Sequence, residues 1–109
     1  MTTPQLEQAV IVCAALPPND ADEILDELSA LEDQLTETIK VAHVGEFDGN
    51  EIGQGELKLY MYGPDAERLF SAVESVLRHA PLTRAAVTTL RYGPPGSTSR
   101  KVQLSSELD

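Results

Sequence analysis

The chain has 109 residues, with 18 Asp and Glu against 8 Lys and Arg, a formal charge of −10 and 41% hydrophobic residues. That length supports one hydrophobic core and not two, and the charge opposes sequence-independent binding to DNA, RNA or an anionic membrane, where each phosphate contact recruits a Lys or Arg. A lone cysteine, Cys13, leaves no intrachain disulfide and no CxxC redox or zinc motif.

Residues 1–109 therefore read as a single domain. Met1 to Glu7 lack the basic stretch of a secretory signal, and no apolar run reaches the roughly 18 residues of a membrane helix, so the expectation is a soluble cytoplasmic protein. Gln8 to Leu16 is almost continuously apolar and rich in β-branched residues, closed by Pro17-Pro18, and reads as a central strand buried on both faces. Asn19 or Asp20 can cap the helix that follows. From Ala21 to about Glu37, apolar residues at Ala21, Ile24, Leu25, Leu28, Leu31 and Leu35 keep the 3.6-residue period of one buried face. At 100° per residue Asp22, Asp26, Asp33 and Glu37 lie opposite that face, with Glu23 and Glu27 on one flank and Glu32 near the other.

Ile39 to Phe47 predicts a strand, Asp48 to Gly55 a turn and Glu56 to Tyr62 a second strand, together a β-hairpin. Leu57, Leu59 and Met61 share one face of the second strand, and Lys58, Tyr60 and Tyr62 the other. Gly63-Pro64-Asp65 opens a second helix, whose apolar positions run from Ala66 through Leu69, Phe70, Val73, Val76 and Leu77 to Ala80 before Pro81 ends it. Arg84 to Tyr92 predicts a strand, residues 93–99 a loop, and Arg100 to Ser105 can add a short edge strand before a frayed tail. With residues 6–92 as its core, the order β-α-β-β-α-β predicts a ferredoxin-like α+β fold, a four-stranded antiparallel sheet with two helices on one face. The uncovered sheet face then carries Lys58, Tyr60 and Tyr62, joined by His43 and Arg91.

No catalytic motif emerges. Asp48, Asn50 and Gly53 match the first, third and sixth positions of an EF-hand loop, but Ile52 and Leu59 stand at the fifth and twelfth, where oxygen ligands are needed. Cys13, His43 and His79 fall on separate elements without zinc-ligand spacing, and no nucleophile motif occurs, so neither metal, cofactor nor catalytic residue is expected. Tyr60 and Tyr62 suit the stacking platform of single-stranded RNA readers, yet the basic, glycine-rich signature of those proteins is missing. A homodimer interface, or cover by the C-terminal segment, is the plainer use of such tyrosines.

Charge is the remaining signal. Residues 1–56 hold 13 acids and one base, Lys40, whereas residues 57–109 hold 5 acids and 7 bases. Eight carboxylates, from Asp20 to Glu37, sit on one predicted helix with no Lys or Arg to pair with them. Such like charges cost an isolated helix a few tenths of a kcal/mol per pair. A solvated, solubilising face explains them as well as an electrostatic surface for a cationic protein does. If they bind a partner, the residues concerned are Asp22, Glu23, Asp26, Asp33 and Glu37, with Asp48 and Glu51 of the predicted turn as a second patch.

The stretch from Asp48 to Phe70, with Tyr62-Gly-Pro-Asp-Ala66 after the predicted hairpin, resembles a group of small acidic bacterial proteins. That resemblance implies no catalytic role for any residue. In size and charge the chain also resembles immunity proteins of bacterial toxin systems, including contact-dependent growth inhibition. This second resemblance implies a non-enzymatic protein that binds a cationic toxin nuclease and blocks it. The rival expectation is a small-molecule-binding or enzymatic homodimer of ferredoxin-like fold that uses the open sheet face around His43, Lys58, Tyr60, Tyr62 and Arg91.

Overall fold

The computed structural model describes residues 8–18 and 21–105. Its elements in chain order are β1 (Gln8–Ala15), α1 (Ala21–Ala42), β2 (Glu46–Gly53), β3 (Glu56–Gly63), α2 (Ala66–His79), β4 (Val87–Arg91) and β5 (Ser99–Gln103). The strands form one antiparallel sheet in the order β2-β3-β1-β4-β5. The sheet thus has five strands where the βαββαβ core provides four, and β5 is the edge strand that residues 100–105 could supply.

Side-chain alternation divides the sheet into a covered and an open face. Val10, Val12 and Ala14 of β1 stand in register with Met61, Leu59 and Leu57 of β3, and all six are buried. Both helices close over this face: Leu28, Leu31, Leu35 and Ile39 of α1 join Leu69, Val73 and Leu77 of α2 in the same core cluster. Thr88 of β4 also faces this core, and its buried hydroxyl has no hydrogen-bond partner among the described residues. Thr83 is buried too, but its hydroxyl donates to the Leu77 carbonyl at 2.7 Å.

Several expectations require correction. The segment Ile39 to Ala42 continues α1 instead of starting a strand. Its β-branched residues favour a strand locally, but Ile39 falls four residues after Leu35 on the same helical stripe, and its burial outweighs propensity. The second strand of the sheet is then Glu46–Gly53, most of which the sequence assigns to a turn. Its alternation is masked by a bulge, since the register slips between Phe47 and Gly49. The extra residue brings Phe47 and Ile52, five apart, onto one face. The hairpin turn itself is just Gln54-Gly55, both with positive φ (53° and 78°), as a two-residue type I′ turn requires. Within α1, Ala21 and Leu25 are exposed, so the buried stripe is narrower than the spacing predicts. The expected caps Asn19 and Asp20 lie outside the described residues.

At the other end of α1, Val44 N–H donates to the Ile39 carbonyl (3.4 Å) and His43 N–H to the Lys40 carbonyl (3.2 Å). This is a Schellman cap, with Val44 and Ile39 buried together and His43 in the left-handed position at φ 56°. Glycine is the residue that position favours. His43→Gly is expected to stabilise the fold by about 1 kcal/mol, measured as a higher denaturation midpoint at unchanged slope. Loss of stability would show that the imidazole makes a contact worth more than the strain. For α2, Asp65 is the N-cap itself, accepting from Glu67 N–H (3.0 Å) and Arg68 N–H (3.2 Å), so Pro64 precedes the helix instead of opening it. Gln8 Oε1 accepts from Ala66 N–H at 2.8 Å and ties β1 to the same helix end.

Candidate functional site

The stripe Leu28, Leu31, Leu35 and Ile39 fixes how α1 is turned, and it aims Asp22, Asp26, Asp33 and Glu37 away from the core. All four are exposed, as are Glu23 and Glu27 on the flank toward α2. Asp22 and Glu23 occupy the first turn and Lys40 the last, where each sign of charge suits the helix dipole. Asp33 and Glu37 have no such help, and Glu23, Asp26, Glu27, Asp33 and Glu37 form no ion pair among the described residues. Glu32 is different: it is half-buried and accepts a short hydrogen bond from the Asn50 side chain of β2, which holds helix to sheet edge. Glu27 also borders a groove of about 580 Å³ between α1 and α2, lined by Leu31, Val76 and His79.

The second patch does not join this surface. Asp48 sits at the bulge of β2, and Glu51 stands in register with Lys58 on the open face, across the sheet from α1. Glu51 accepts from the Tyr60 hydroxyl at 2.8 Å. That hydrogen bond, together with burial and the nearby carboxylate charge, raises the Tyr60 phenol above its usual value. The phenol therefore stays protonated and donating through neutral pH.

The open face does gather Lys58, Tyr60, Tyr62 and Arg91. Successive cross-strand rows read Glu46–Tyr62–Ala9–Arg91–Ser99, Gly49–Tyr60–Ile11–Thr89–Lys101 and Glu51–Lys58–Cys13–Val87–Gln103. Arg91 is partly engaged already, its Nε donating to the Gly93 carbonyl at 2.7 Å. His43 is not on this face: because Ile39 to Ala42 are helical, it lies beyond the end of α1, beside Pro64, Asp65 and Arg68. Among the described residues no three His, Cys, Asp or Glu side chains converge as metal ligands would.

Two further polar clusters join elements distant in sequence. Arg100 of β5 grips Glu67 of α2 with two hydrogen bonds (Nη2–Oε1 2.8 Å, Nε–Oε2 3.1 Å), and the Tyr92 hydroxyl donates to the same carboxylate. These donors hold the Glu67 carboxyl below the usual carboxylate range and the Arg100 guanidinium above its own. Their support is present above pH 4 to 5 and fades as acid protonates Glu67. Arg78 pairs with Glu74 one turn earlier (2.7 Å) and also donates to the Leu104 carbonyl, which clasps the chain after β5 to α2. The i,i+4 spacing of Glu74 and Arg78 is visible in the sequence; the partnership of Glu67 with Arg100, 33 residues away, leaves no local signal.

No helix among the described residues is long and apolar enough to cross a membrane. Comparison with known proteins gives no match to this chain among family models, curated proteins or solved structures.

Proposed function

We propose that the protein is a non-enzymatic binding module that captures a cationic protein through the solvent face of α1. The observation that carries this reading is the row of exposed carboxylates at Asp22, Glu23, Asp26, Asp33 and Glu37, on a helix whose one base is Lys40. Like charges at i,i+4 weaken a helix, so packing against the sheet sustains an arrangement that local energetics oppose. A dense anionic surface accelerates encounter with a basic partner and repels acidic ones. The most concrete form is a cytoplasmic bacterial immunity protein whose carboxylates stand in for the phosphates a toxin nuclease would bind. The strand order β2-β3-β1-β4, with both helices on one face, supports a ferredoxin-like assignment, β5 being added beyond β4.

The test is the quadruple variant Glu23→Lys, Asp26→Lys, Asp33→Lys and Glu37→Lys. All four sites are exposed, so the fold tolerates the change. Wild-type protein used as bait in its native host is expected to retain a basic, nuclease-like domain, identified by mass spectrometry. The variant should bind that domain at least about 100-fold more weakly, with a flatter salt dependence. Equal affinity and equal salt dependence would overturn the reading.

A further inference from the structure

We infer that the open sheet face is a homodimer interface, with the two-fold axis running along β1. This inference is independent of the cationic partner proposed above, because α1 lies on the opposite side of the sheet.

In a chain of charge −10, two copies repel each other over most of their surface. The open face is an exception. Its four acids, Glu46, Asp48, Glu51 and Glu56, stand with three bases, Lys58, Arg91 and Lys101, so the face is close to neutral. Its centre is apolar: Ile11 and Cys13 of β1 are half-buried and flanked by the half-buried Tyr60, Tyr62 and Val87. The charges are also sorted by edge. Glu46 and Glu51 belong to β2, and Arg91 and Lys101 to β4 and β5 at the other side.

That sorting selects the symmetry. A two-fold along the strands keeps each cross-strand row opposite itself but exchanges the edges, so β2 of one copy covers β5 of the other. Lys101 then falls between Glu46 and Glu51 of the second copy, and Tyr62 faces its Arg91, a guanidinium-on-ring pairing. The central strand β1 meets itself, Ile11 on Ile11 and Cys13 on Cys13. A two-fold across the strands would set Glu46 and Glu51 against their own copies and Lys101 against Lys101, which is repulsive at both edges. Strands β1 to β3 have eight residues each and β4 and β5 five each, so at about 4.8 Å between strands the face is roughly 24 Å wide and about 17 to 27 Å long, at the low end for a specific interface. The dimer is therefore weak, dissociating in roughly the micromolar range.

Sedimentation of the full chain over a concentration series should show a reversible monomer–dimer equilibrium. Packed sheets stand about 10 Å apart, too far for a Cys13 disulfide, and dimerisation should slow the reaction of the Cys13 thiol with maleimide. Lys101→Glu is expected to weaken the dimer at least about tenfold, as is Glu46→Lys with Glu51→Lys; the three changes together should restore it to within about threefold of wild type. The α1 quadruple variant, whose lower net charge weakens repulsion between copies, should dimerise at least as well as wild type, and Lys101→Glu should keep any capture of a cationic protein, so the two readings fail separately. A monomer at every concentration overturns the inference. So does a dimer that ignores the charge changes, or one that Glu46→Lys with Glu51→Lys strengthens, which would mark the other axis.

Discussion

Gly45→Ala is expected to destabilise the protein by about 3 kcal/mol, lowering Tm by roughly 15 °C. Where the chain leaves α1 for β2 it crosses the end of β3, one step beyond the ladder pair Glu46–Tyr62. A β-carbon at Gly45 would lie 2.0 Å from the Tyr62 carbonyl oxygen and 2.9 Å from Gly63 Cα, and the backbone there has φ +147°. Both obstacles are main chain, so no side chain can swing aside. The converse holds at Gly63, where a β-carbon would lie 2.2 Å from the Val44 carbonyl oxygen. Gly63→Ala should therefore cost a similar amount, and the double variant less than the sum, since the first substitution already forces the crossing apart. Denaturant unfolding checks this; a change below about 1 kcal/mol for Gly45→Ala would show that the crossing opens freely.

Leu35→Ala should cost about 3 kcal/mol, whereas Leu25→Ala should change stability by less than about 0.5 kcal/mol. Both leucines belong to the helical stripe that spacing predicts. Yet Leu35 is fully buried, while Leu25 keeps 53% of its surface exposed. Leu35→Ala leaves a cavity between helix and sheet; Leu25→Ala removes a side chain that solvent already reaches and adds a better helix former. Equal losses from the two would mean that α1 is rotated on the sheet, which would also bring Asp22 nearer the core.

These two leucines mark the limit of what was legible. The presence of α1, the place of α2 and the two-sided reading of β3 follow from periodicity, because the side chains that show it are neighbours in the chain. The acidic face of α1 follows the same way, from 100° per residue. The end of α1 and the start of β2 do not. Ile39 and Val41 have strand propensity, glycine and a bulge disguise Glu46–Gly53, and the deciding contacts are made with residues far away in sequence. The displacement of His43 from the sheet to the end of α1 follows from that same boundary.

Composition and helical period set how much charge the chain carries, place most of its acids before Leu57, and assign eight of them to one helix and its cap. Contacts between elements far apart in the chain put Glu51 across the sheet from Asp26, bring Glu67 to Arg100, and set acids and bases side by side on the uncovered sheet face. The physical reason is that helical and strand periods are local properties. Which face is buried, and which distant charges come into contact, is set by closing loops around a shared core.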